Sequence, residues 1–166
     1  DFKKIFHFSC ELLILKPMKR AFVKYIKTLD ETELAKELQK LYTKFPNVKK
    51  YYEMELSPNT DKVVAEYKAK IKKGYFKPTG FGRAKSGVSR KLIAEFKKIA
   101  IYESDVIDLW LYRTEMMAKY AVERNYYSET FYRSLIGSFE TTCKLIAKER
   151  LEKQFEPRCY EIVESV

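Results

Sequence analysis

Four carboxylates fall close together in one stretch of the chain: Glu103, Asp105, Asp108 and Glu115. Asp105 and Asp108 are three residues apart and so are neighbours on a helix surface. Such a set could serve as an acid–base pair or hold a metal. Acids at the start of a helix also simply favour its positive end, and the sequence favours that structural reading. The chain has one histidine, His7. A lone histidine argues against histidine acid–base catalysis, a Ser-His-Asp triad and a histidine metal site. Cys143 stands between Phe139 and Ile146 on an apolar stripe and is expected in the core. Cys159 follows Pro157-Arg158 near a helix start, where a thiol pKa can fall, although a structural role is favoured. Three dispersed cysteines without a CxxC pair fit a reducing cytoplasm, neither a disulfide framework nor a zinc site. No cofactor is implied.

The segment Gly82-Arg83-Ala84-Lys85-Ser86-Gly87-Val88-Ser89 invites comparison with the phosphate loop GxxxxGK[ST]. Its glycine spacing fits, but Val88 stands where lysine must reach the phosphates, and no apolar strand precedes it. A weaker possibility stays open: backbone N–H groups of a glycine-rich turn before a helix can hold an anion. A solvated loop is the competing reading.

That segment lies inside the least ordinary part of the chain. Tyr67 to Ala94 holds nine basic residues and no acid, with four of the five glycines in its middle. Residues 62–98 carry 12 basic and two acidic side chains, which equals the whole net charge of +10. So lopsided a field draws anionic partners. The expected anion or nucleic-acid contacts are Lys68, Lys72, Lys73, Lys77, Arg83, Lys85, Arg90 and Lys91. Tyr75, Phe76 and Phe81 interleave with them and could stack on bases.

The elements that must position these groups are helices. Lys, Glu, Leu, Ala and Arg are plentiful and are good helix formers, and 166 residues suffice for one domain. Phe22, Tyr25, Ile26 and Leu29 repeat with helical spacing. Thr28 and Glu31 read as a capping box for a helix carrying Leu34, Leu38, Leu41, Tyr42 and Phe45. Pro46 ends that helix, and Asn47 caps a short one. Ser57-Pro58 opens a helix with Val63, Val64, Tyr67 and Ile71, closed by Gly74 as C-cap. A basic glycine-rich loop over about 74–88 follows, then a helix from about Val88. Ser104 caps a long helix, Ser128 caps the longest, and Pro157 opens a last short one. The expectation is an all-α, single-domain helical bundle of seven or eight helices, with only residues 1–15 and 50–56 as candidate strand. Residues 1–17 read either as an extension before a start at Met18 or as a short extra element. The longest purely aliphatic run, Leu12–Leu15, is far short of the ~20 residues a membrane helix needs. No cleavable signal peptide is expected either, since His7, Ser9 and Glu11 break the first apolar stretch.

From Met18 to Val166 the chain resembles a family of small, Lys-rich, all-helical bacterial proteins, a domain of unknown function. The likeness rests on Leu38, Leu41-Tyr42, Lys44-Phe45, Val48-Lys49, Tyr51-Tyr52, Tyr67-Lys68 and Ile71. It continues through Ile93, Glu95-Phe96-Lys97-Lys98, Phe155, Pro157-Arg158-Cys159 and Ile162-Val163. The resemblance implies the helical fold and carries no catalytic residue. The functional expectation is a non-enzymatic binding module that meets an anionic partner, nucleic acid favoured, through residues 67–94. A protein–protein adaptor docking on an acidic surface, or a homo-oligomer, is the alternative. A carboxylate-based enzyme comes third.

Overall fold

A computed structural model describes residues 18–57, 60–84 and 86–165. These residues form eight helices and one two-residue-per-strand hairpin, so the all-α expectation holds. The contacts divide the chain after Lys49 into two units, and each is described by itself.

The first unit contains α1, residues 18–28, and α2, Glu31–Lys44. The capping box falls two residues later than the sequence suggests. Asp30 accepts from the Glu33 amide at 2.7 Å, and the Asp30 amide donates to Glu33 at 3.1 Å. Thr28 is still inside α1, where its hydroxyl donates to the Tyr25 carbonyl at 2.7 Å, so it is not free to cap. The apolar stripe of α2 forms, but the helix buries none of its residues; Leu38, for example, is 44% exposed.

Helix α3, Pro46–Glu55, begins at the proline itself, where the missing N–H costs nothing. It takes in most of the 50–56 stretch that was a strand candidate. The second unit, from Lys50 onward, is organised around α6, Glu103–Arg124. This helix is buried on two sides, as expected of one with apolar residues around most of its girth. On one side Val106, Leu109, Met117 and Tyr120 join Met54, Val64, Tyr67, Ile71, Ile93, Phe96, Phe131 and Leu135. On the other, Ile107 and Leu111 meet Ile146, Phe155 and Ile162. Helix α4, Asp61–Tyr75, helix α5, Ser86–Phe96, and helix α7, Glu129–Glu149, pack on α6 together with α8, Glu152–Glu164.

Several boundaries differ from the sequence reading. Helix α4 starts after Thr60, not at Ser57; Pro58 lies outside the described residues. Gly74 is not a C-cap, because α4 runs on through Tyr75. Strands β1, Phe76–Lys77, and β2, Gly80–Phe81, then pair antiparallel, with Phe76 opposite Phe81. The returning chain lays Gly82 against the end of α4. The Gly82 amide donates to the Tyr75 carbonyl at 2.6 Å and the Ala84 amide to the Gly74 carbonyl at 3.1 Å. These bonds satisfy carbonyls that a helix end leaves without partners. The supposed loop is therefore a backbone clasp on α4. Helix α5 begins at Ser86, two residues before Val88, and α6 at Glu103, ahead of Ser104. Ser128 does cap α7, accepting from the Phe131 amide at 3.4 Å. Pro157 does not open a helix but sits within α8.

Candidate anion-binding site

The basic residues of the sequence analysis lie on α4, the hairpin and α5. The buried side of α4 is set by Val64, Tyr67, Ile71 and Tyr75, at helical spacing. Lys72 and Lys73 fall between these positions and are exposed, as are Lys77 and Arg83 around the hairpin and Arg90 and Lys91 on α5. None of these six makes an ion pair among the described residues. Lys68 differs: its ammonium lies 2.6 Å from Asp108 and 5.5 Å from the centre of the Tyr112 ring, so it is held as structure. Lys85 is outside the described residues.

The three proposed stacking rings do not form a platform. Tyr75 is 1% exposed, and its hydroxyl shares a 3.0 Å hydrogen bond with Ser89, so it has no face to offer. Phe76 is half-buried, and Phe81 is 39% exposed. Both pack around Tyr120, with centroids 6.1 and 5.7 Å from its ring, and Arg124 sits 5.3 Å over Phe81. They stabilise the hairpin, whose Gly82 carbonyl also accepts from the Tyr120 hydroxyl at 3.2 Å.

One residue that sequence reasoning missed is Arg113, in the middle of α6, which is 0% exposed. Its Nε donates to the Ser89 hydroxyl at 2.9 Å. Its Nη2 lies 3.4 Å from the Ser86 carbonyl and 3.3 Å from the Ser134 hydroxyl. The Trp110 ring centre is 5.5 Å from the guanidinium carbon. Among the described residues buried Nη1 has no hydrogen-bond partner, and no carboxylate pairs with the group. Burial pulls the Arg113 pKa below its ordinary value, and the charge of Arg90 adds to that effect. Arg113 borders a cavity of about 420 Å³ lined by α5, α6 and α7, with Arg90, Arg133, Ser134, Ser138 and Thr141 also on its wall. The sequence does hold a signal for this residue. Arg113 is four residues after Leu109 and four before Met117, so a cation falls on the apolar stripe.

Of the four carboxylates, Asp108 and Glu115 are held in ion pairs, while Glu103 keeps one buried oxygen without a hydrogen-bond partner among the described residues. Arg158 of α8 reaches Asp108 at 2.5 Å and Glu115 at 2.6 Å, bridging the two carboxylates across α6. Burial works against the Arg158 charge, but the hydrogen bonds to Asp108 and Glu115 outweigh it and hold its pKa above the ordinary value. Asp105 accepts from Thr60 at 2.8 Å; burial raises its pKa and that bond partly offsets the rise. Among the described residues no group of three or more His, Cys, Asp or Glu side chains is placed to hold a metal. His7 lies outside the described residues. Cys143 is exposed rather than in the core, because its position on α7 falls beside the buried line of Ser138, Thr142 and Ile146. Cys159 also departs from expectation. Burial, and then the neighbouring Cys143, push its thiol up to about 11, against the fall expected near a helix start.

Together these features define a helical protein with a basic helix–hairpin–helix segment and a buried arginine beside a polar cavity. The chain belongs to the family of unknown function DUF6155, whose profile matches residues 18–166. No curated protein and no solved structure matches it. No helix among the described residues is long and apolar enough to cross a membrane.

Proposed function

We propose that this chain is a non-enzymatic binding module that takes an anionic partner, nucleic acid favoured, on the α4–hairpin–α5 segment, in the cytoplasm. The observation that carries the reading is that Lys72, Lys73, Lys77, Arg83, Arg90 and Lys91 are exposed and without ion pairs among the described residues. Cations left free in this way neutralise phosphates and release counterions, which makes binding strongly salt-dependent. With Tyr75 buried and Phe81, though 39% exposed, packed on Tyr120 with Arg124 5.3 Å from its ring centre, the affinity comes from charge rather than from base stacking, and no base preference is expected. Fluorescence titration of single- and double-stranded oligonucleotides at ~50 and ~200 mM salt tests this, with a steep loss of affinity expected at the higher concentration. Reversing Lys72, Lys73, Arg90 and Lys91 to Glu should remove the binding. Absence of binding at low salt, or insensitivity to salt, ends the reading.

A second reading, of a helical adaptor or homo-oligomer, draws on the first unit. Phe22, Tyr25, Leu38, Tyr42 and Phe45 all remain exposed on α1 and at α2. Apolar stripes of this extent mark interaction surfaces. Light scattering that reports a dimer in the wild type and a monomer in a Leu38→Glu, Tyr42→Glu variant would favour it; a wild-type monomer would count against the homo-oligomer.

A further inference from the structure

Burying a guanidinium without a carboxylate is costly, and such a charge is normally paired. Arg113 is fully buried and, among the described residues, keeps one Nη without a partner, while its other hydrogen bonds go to neutral groups. Among the described residues, the cavity it borders is lined by no Asp or Glu but by Arg90, Arg133, Ser134, Ser138 and Thr141, with others. Arg133 pairs with Glu129 at 2.5 Å, but both side chains are largely exposed, and such a pair exchanges readily with solvent or a ligand. At about 420 Å³ the cavity lies within the range of roughly 300–1,000 Å³ that small-molecule sites occupy.

We propose that this cavity between α5, α6 and α7 binds a terminal phosphate, the phosphomonoester group of a small ligand or of a nucleic-acid end. Three arginines lining the cavity, one each from α5, α6 and α7, match a dianionic, tetrahedral group better than a single carboxylate. The Ser134 hydroxyl, which accepts from Arg113 and keeps its own proton, can donate to one of its remaining oxygens, whereas Thr141 donates to the Gly137 carbonyl and Ser138 is bonded to Thr114. Trp110, also on the wall, offers a flat apolar surface to the organic part of the ester. Arg90 belongs to both surfaces, but Arg113 and Arg133 belong to the cavity alone and the lysines to the exposed segment alone. Arg113→Met therefore separates failure of this proposal from failure of the reading above.

Calorimetry of the full chain with inorganic phosphate and with glycerol phosphate is expected to show saturable binding that glycerol, and acetate at equal ionic strength, do not reproduce. Arg113→Met should abolish the binding and leave the melting temperature of the phosphate-free protein unchanged or higher, because an isolated buried charge has been removed. Arg90→Ala, at an exposed position, keeps the test valid if that variant fails to fold, and should weaken phosphate binding roughly tenfold or more. A short oligonucleotide with and without a 5′-phosphate separates the two sources. Preference for the phosphorylated end over glycerol phosphate assigns the nucleic-acid end; equal affinity assigns a small ligand. The proposal is overturned if no phosphate or phosphomonoester binds saturably up to ~10 mM. It is equally overturned if Arg90→Ala binds phosphate as the wild type does.

Discussion

Cys159 and Arg113 show how a neighbourhood reverses a residue's ordinary chemistry. A thiol near a helix start is expected to ionise more easily. Cys159 instead lies against Cys143 and partly out of water, and both effects disfavour the thiolate. Only the thiolate attacks an alkylating agent, so at pH 8 iodoacetamide should modify Cys159 more slowly than the exposed Cys143, as read by peptide mass spectrometry. Equal rates would contradict the burial described for Cys159. The sign of the linkage follows from the same shift. The folded state keeps a proton that the unfolded chain releases near its ordinary pKa of 9.0, so this contribution to stability is complete below that pH. It is lost as the pH rises through about 11. Burial also raises Tyr67, Tyr75 and Tyr112, which act in the same direction at higher pH. Denaturation midpoints should therefore fall on the alkaline side.

At the scale of elements, the hairpin and the α4 end are one device. A Cβ at position 82 would stand 2.2 Å from the Gly74 carbonyl oxygen, and that oxygen is backbone, which cannot swing aside. Gly82→Ala should cost roughly 1–3 kcal/mol, the range for forcing atoms into a packed site. Gly74→Ala provides the opposite control, since its Cβ meets nothing within 4 Å and the position is helical. It should gain up to about 1 kcal/mol from helix propensity. Paired thermal melts check both signs, and a neutral Gly82→Ala would refute the clasp. Helix α8 depends on a comparable device, the Arg158 bridge to Asp108 and Glu115, which anchors it although Pro157 interrupts its backbone hydrogen bonding.

For the molecule as a whole, the decisive quantity is where charge sits. Residues 62–98 carry a net charge equal to that of the entire chain, within the second unit. Like charges so concentrated repel one another, and salt screens them. Raising the salt from ~50 to ~300 mM should therefore raise the melting temperature, while the same change weakens any polyanion binding. A falling melting temperature would mean that ion pairs such as Lys68–Asp108 outweigh the repulsion.

The linear chain already disclosed the helices, their approximate extents, the Ser128 cap and the unequal distribution of charge. These depend on residue type and on spacing within a dozen positions, which a single chain displays directly. It placed caps wrongly at Thr28, Ser57 and Gly74, because a cap is decided by which backbone group is left unpaired once the neighbouring helix has ended. What each charge does depended on how the helices pack. The acids Asp108 and Glu115 became partners of an arginine more than 40 residues away, and Tyr75 turned from a stacking ring into core. Arg113 became a buried cation with no counterion among the described residues. A charge's role is set by what α5, α6 and α7 bring within a few ångströms of it, and that proximity is not written in local spacing.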